Sequence, residues 1–401
     1  MTCNVALLNR FGAALATDSA VSQLRHLDSG EEVAKVFHGS RKLFRLHPDL
    51  PVGVLVHGRT DLMGRPWESF LGTFRATLPA GGFPALEDYA RAFFRHVEVQ
   101  PGLFPEALQS RDFAETVEAY VRQVLLSPLE KALPGKPSDD LKAARRAFQA
   151  ILESDLAEWR EVPELVGFGE AYGREVVRRY GLPPRTGWPE ILGFPPGRSI
   201  AEGLEEVACH LYSKQWIWPG DRSGIVFAGY GREEFFPSLH AYQAGTVARD
   251  RLRLFPERTQ ATSDRQEALV CPFGQTEAID LFFQGIPEEI LAHLRDALHE
   301  AVPADRAEGI LEELSGLIQR TQWEPLFSAI AGMPGGELAQ LAGTLVEFAA
   351  LRSHLSAGAE TVGGPVTVAL LTKGEGFTWI RQTGPGHPTP GFPTPVNGRF
   401  S

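Results

Sequence analysis

The sequence predicts an α+β fold in which antiparallel sheets are covered by helical layers. Two patterns carry that reading. Short apolar runs of strand length, joined by glycine-bearing turns, stand near both ends of the chain, and pairs of segments with apolar residues at helical spacing alternate with them. A hydrophobic content of 43% over 401 residues supplies a sizeable core and excludes wholesale disorder.

In chain order, residues 4–8 (NVALL) and 13–17 (AALAT) flank Asn9-Arg10-Phe11-Gly12 and predict a hairpin. The polar stretch 22–32 reads as a loop. Residues 42–46 alternate, and 52–56 (VGVLV) form a continuous apolar run suited to a strand buried on both faces, giving four strands in 56 residues. After His57-Gly58-Arg59-Thr60-Asp61 the period becomes helical. Trp67, Phe70, Leu71 and Phe74 share one face, and Leu86, Tyr89, Ala90 and Phe93 another. From about 100 to 220 the pattern stays helical, through Phe113, Val117, Tyr120 and Val121 and later Phe148, Leu152 and Trp159, with a Gly/Pro-rich break at 181–197. Strands return at 224–230 and 238–242, and helices at 287–302, 306–319 and 336–353. Residues 366–371 and 377–380 close the order as a hairpin around Lys373-Gly374-Glu375-Gly376. The expected division is a domain formed by 1–99 and 223–382, a helical insertion at 100–222, and a Pro/Gly-rich tail at 383–401.

Charge and cysteine usage narrow the function classes. With 39 Lys plus Arg against 50 Asp plus Glu, the formal charge of -11 argues against nucleic acid as a partner. No apolar window approaches the ~18 residues that a membrane span needs, and residues 1–4 lack the basic start of a secretory signal, so a cytoplasmic protein is expected. Cys3, Cys209 and Cys271 include no C-x-x-C pair and read as free thiols. The histidines include no H-x-x-x-H pair with an acid, and Gly229-Tyr230-Gly231 lacks the third glycine and helix of a dinucleotide motif, so neither a metal nor a cofactor is expected. Cys209-His210 lies in a helical pattern and reads as packing.

The chemistry points to the amino terminus. If Met1 is removed, Thr2 carries a hydroxyl and a free α-amine on one residue. An α-amine has a pKa of about 7.7 to 8.0, low enough to take the hydroxyl proton near neutrality, so one residue can be nucleophile and general base. If Leu8 pairs with Gly12 or Ala13, Thr2 comes to lie opposite Asp18 or Ser19. A carboxylate at Asp18 can then orient the amine, and Lys42 on the next strand can supply a positive charge. Threonine after methionine, a turn aspartate and a strand-end lysine are each also commonplace.

Thr2-Cys3-Asn4-Val5-Ala6, Ala16-Thr17-Asp18-Ser19-Ala20 and Arg41-Lys42-Leu43 together resemble the opening of proteasome-type β-subunits, the N-terminal nucleophile (Ntn) hydrolases, most closely the bacterial proteasome-like proteins. The resemblance implies a four-layer αββα sandwich over about 1–97 and 223–382. It also implies a threonine-type peptidase or amidohydrolase and self-association into a homo-oligomer. Thr2 and Asp18 keep the sixteen-residue spacing, whereas Lys42 arrives late; Lys35 is the less suitable substitute, with no strand pattern directly after it. Gly58 resembles the glycine whose N–H serves the oxyanion hole. Departures are equally specific: Gln275 stands where the family places an assisting serine, and Ala359-Glu360-Thr361-Val362 where it places an aspartate, with Glu360 as a substitute acid. The alternative reading is a non-catalytic member that keeps the sheets as an assembling or ligand-binding scaffold.

Overall fold

The computed structural model describes residues 2–26, 32–100, 102–132, 140–182, 187–218, 220, 222–356 and 361–382. Strands β1 (Cys3–Asn9), β2 (Gly12–Thr17), β3 (Val21–His26), β4 (Glu32–Phe37), β5 (Leu43–Arg45) and β6 (Val52–Gly58) come first. The two-residue strands β7 (Asp61–Leu62) and β8 (Arg65–Pro66) lead into α1 (Trp67–Arg75) and α2 (Leu86–Glu98). A run of helices follows: α3 (Glu106–Tyr120), α4 (Ser127–Ala132), α5 (Leu141–Glu161), α6 (Glu170–Tyr180), α7 (Trp188–Leu192) and α8 (Arg198–Ser213). Then come β9 (Ser223–Gly229), β10 (Ser238–Ala248), β11 (Arg251–Ala261) and β12 (Ala268–Gly274). Helices α9 (Glu277–Gln284), α10 (Glu288–Ala301), α11 (Ala304–Ile318), α12 (Glu324–Gly332) and α13 (Gly335–Leu355) precede the hairpin of β13 (Thr367–Thr372) and β14 (Gly376–Arg381). The fold is mixed helix and sheet, and among the described residues no helix is long and apolar enough to cross a membrane.

Two five-stranded sheets, ordered β12-β1-β2-β13-β14 and β11-β10-β9-β6-β5, are antiparallel throughout. Their two-residue alternation decides what each face meets. On β1 and β2, Val5, Leu7, Ala14 and Ala16 pack with residues of α9, α12 and α13, while Ala6, Leu8, Ala13 and Leu15 join Leu55, Val226, Ala228 and Leu239 of the other sheet. On β6, Val52, Val54 and Val56 pack beneath Trp67, Phe70, Tyr89 and Phe93 of α1 and α2, and Leu55 turns inward. The alanines of β1 and β2 leave room for α13 on one side and the second sheet on the other. A separate apolar cluster, including Phe113, Phe148, Leu152 and Trp188, holds α3 to α8 together and takes in Ala248 of β10.

The structure departs from the sequence-based expectations in several places, among them α7 inside the expected break at 181–197 and α12, which follows the last residue of the helix expected at 306–319. The expected loop at 22–32 contains most of β3 and the start of β4, which pair with each other apart from the large sheets. Lys35, for which no following strand is expected, lies inside β4; its side chain is exposed and sits over the Phe37 ring. The two strands expected at 224–230 and 238–242 are joined by β11 and β12 in the same part of the chain. The tail at 383–401 lies outside the described residues.

Candidate active site

Hairpin register fixes the first part of the site. Leu8 pairs with Ala13 and Asn4 with Thr17, which carries Thr2 to the level of Ser19, the second of the two registers the sequence allows. Asp18 follows β2 directly, and its backbone N–H donates to the Cys3 carbonyl at 3.2 Å. Its side chain turns inward and receives four donors. Lys42 Nζ lies 2.8 Å from Oδ1 and the Cys3 N–H donates to the same oxygen at 3.1 Å; Ala20 and Gly363 donate their N–H groups to Oδ2 at 3.2 and 3.1 Å. Asp18 thus ties together the first strand, the end of the second and the segment before β13.

Lys42 stands immediately before β5, and its carbonyl accepts the Val56 N–H at 2.8 Å. That bond fixes its backbone against β6, and its ammonium also donates to the Ala20 carbonyl. Neither Lys42 nor Asp18 exposes side-chain surface. Burial pushes the Lys42 ammonium below the ordinary lysine value, while the charge and hydrogen bond of Asp18 act against that shift. At Cys3 burial, with Asp18 adding to it, pushes the thiol up, which favours its protonated form.

Thr2 is 3% exposed, and its carbonyl accepts the Gln275 N–H at 2.8 Å. Gly274, just before Gln275, has φ +81°, and a Cβ there would stand 2.0 Å from the Thr2 oxygen. Only glycine lets β12 close on the start of β1 at this point. Gly58 ends β6 with φ +71°, where a Cβ would meet the Arg222 carbonyl at 2.3 Å. The N–H groups of Val56 and Arg59 point to opposite sides of the strand, to Lys42 and Arg222 respectively. By alternation the Gly58 N–H shares the Val56 side, that of Lys42. Asn4 Nδ2 donates to the Val56 carbonyl at 3.0 Å, so β1 and β6 approach each other two residues from Thr2 and two from Gly58.

Thr2, Asp18, Lys42 and Gly58 are therefore placed at one end of the two sheets, with a charged hydrogen bond joining Asp18 and Lys42. Three neighbours join them that sequence reasoning does not assign to the site as functional groups. Gln275 accepts the Thr361 hydroxyl at 2.8 Å, tying the Gly274 turn to the segment before β13. The Ser19 hydroxyl is buried without a hydrogen-bond partner among the described residues. His57 stacks on Phe273 with ring centroids 5.4 Å apart, and burial pushes its imidazole toward the neutral form against the charge of Glu257, 3.8 Å away. The sequence signals for them are the place of Gln275 where the resembled family has an assisting serine, the hairpin register that can set Ser19 opposite Thr2, and the position of His57 directly before Gly58. Glu360, considered as a substitute acid, lies outside the described residues.

No family model matches the chain, and no curated protein matches it. Among solved structures it is similar to an Anbu (Gly-1) mutant from Hyphomicrobium sp. strain MC1. The two share 12% identity over 95% of this chain and 85% of that one, with a TM-score of 0.29. So loose an overlap carries no weight for fold or site, which leaves the chain's own residues to speak for its function.

Proposed function

We propose that this chain is a proteasome-like Ntn hydrolase that cleaves amide, including peptide, bonds with Thr2 as nucleophile once Met1 is removed. The observation that carries the reading is the fully buried Asp18–Lys42 pair, 2.8 Å apart, with Asp18 also holding the Cys3 N–H next to Thr2. Two buried charges are costly to maintain, and their place beside a threonine that would bear the α-amine gives them a task. The Thr2 hydroxyl oxygen attacks the amide carbonyl carbon while its proton passes to the α-amine. The Gly58 N–H donates to the oxyanion, and the Lys42 charge favours the developing alkoxide. Collapse of the tetrahedral adduct breaks the C–N bond, and the leaving amine takes the proton. Water then hydrolyses the acyl ester and restores Thr2.

The same reading treats residues 1–99 and 223–382 as a four-layer αββα sandwich, 100–222 as an inserted helical domain and 383–401 as a tail. It also carries cytoplasmic residence and self-association into a homo-oligomer. The strand alternation that sends one face of each sheet to helices and the other to its partner sheet supports the sandwich.

A second reading, a non-catalytic proteasome-like scaffold, is favoured by one observation: Gln275 stands where the resembled family places an assisting serine. Intact-mass measurement separates the two, since a purified chain that retains Met1 has a blocked amine and excludes the hydrolase. On a peptide library, Thr2→Ala is expected to abolish turnover; hydrolysis at the wild-type rate removes Thr2 as nucleophile.

A further inference from the structure

Beside the Asp18–Lys42 pair lies a cavity of about 260 Å³ whose lining includes Arg41, Arg45, Arg75, Lys42 and Glu68. Its charge is unbalanced. Lys42 is matched by Asp18, and Arg41 approaches Glu68 at 3.5 Å, which leaves two guanidiniums facing the space with no further carboxylate among its lining residues. Arg45 is held in place by donating through Nε to the His47 carbonyl at 3.0 Å. Burial and the nearby charges of Arg45 and Arg41 push the Arg75 guanidinium below its ordinary value, with only Glu68 acting against them. A neighbouring cavity of about 430 Å³ shares Arg41 and Glu68 with the first and reaches Val56 and Thr60, on either side of Gly58.

We propose that the smaller cavity binds a carboxylate between Arg41, Arg45 and Arg75, and that this carboxylate is an acidic group of the substrate presented at Thr2. The substrate role rests on the hydrolase reading; the anion site does not. Planar guanidiniums bind a carboxylate through paired N–H donors, and the bound anion relieves the repulsion among the three cations. Such a pocket prefers an acidic side chain over its neutral amide isostere.

Calorimetric titration of the Thr2→Ala chain with glutarate, and with glutaramide as its neutral isostere, tests the anion site without turnover. Glutarate is expected to bind at least about tenfold more tightly than glutaramide, and to weaken as salt rises from about 50 to 500 mM. Arg75→Gln and Arg45→Gln are each expected to weaken it about tenfold or more, with folding checked by circular dichroism. Equal binding of the two ligands, no binding of either, or glutarate affinity indifferent to salt and to both variants overturns the site. The wild-type chain is then given peptides that differ only by glutamate or glutamine. Glutarate binding without hydrolysis of either peptide removes the hydrolase and leaves the site, whereas hydrolysis without preference for glutamate removes the site's role in substrate choice and leaves the hydrolase.

Discussion

A lysine ammonium and an aspartate carboxylate with no exposed side-chain surface, 2.8 Å apart, set the behaviour of the site at the scale of single residues. Lys42→Met strands the Asp18 charge, and a destabilisation of about 3–5 kcal/mol is expected by denaturant unfolding. Asp18→Asn/Lys42→Met removes both charges and is expected to recover part of that loss while turnover stays at least about 100-fold down; full recovery of activity would show that the pair is only structural. The pair also shapes the pH dependence. Burial lowers the Lys42 pKa from 10.5, so between the lowered value and 10.5 the unfolded chain holds a proton that the folded chain has released. Its contribution to stability therefore rises with pH through that window. Activity runs the other way on the alkaline side: kcat/KM needs Lys42 to keep its proton, so the alkaline limb is expected to fall at a pH below 10.5. A profile still rising beyond pH 10.5 would separate Lys42 from the chemistry.

Among the elements, the closure of β12 on β1 depends on Gly274, where φ is +81° and the Thr2 carbonyl leaves no space for a Cβ. Gly274→Ala is expected to destabilise the fold by more than about 2 kcal/mol and to lower activity with it, read as melting temperature and turnover together. The hairpin of β1 and β2 is legible in the sequence because its strands are apolar and its turn short. β11 is not, because it is an edge strand. Its sequence RLRLFPERTQA alternates charge with apolar residues and carries Pro256, which an edge tolerates and a central strand does not. The β3–β4 pair escapes notice for a related reason: it stands outside both large sheets, and 22–32 lacks the apolar period by which core strands are recognised.

Across the whole molecule, the helices between α2 and β9 join the sheets through a few specific contacts. Arg253 of β11 is buried, donates to the Trp216 carbonyl at 2.9 Å, and lies over the Tyr212 and Phe255 rings at 5.0 and 5.2 Å. Arg253→Ala removes that packing and leaves the carbonyl without this donor, at an expected cost of about 2–4 kcal/mol. Equilibrium urea unfolding followed by tryptophan fluorescence checks it; an unchanged midpoint would mean that the helices and sheets do not share stability through this contact.

The α+β class, the first hairpin, the helical run after residue 100 and the nomination of Thr2, Asp18, Lys42 and Gly58 can all be read along the chain. The class, the hairpin and the helical run follow from local period and turn chemistry, which near neighbours in sequence decide; Thr2, Asp18 and Lys42 rest on residue type together with the resemblance to proteasome-type β-subunits, and Gly58 on that resemblance alone. Packing of the sheets was needed to show that Lys42 rather than Lys35 meets Asp18, that Gln275 bonds the Thr2 carbonyl, and that Arg75 comes to share a cavity with Arg41 and Arg45. Those outcomes depend on which strand pairs with which and which side chains the stacked sheets desolvate, and spacing along the chain encodes neither.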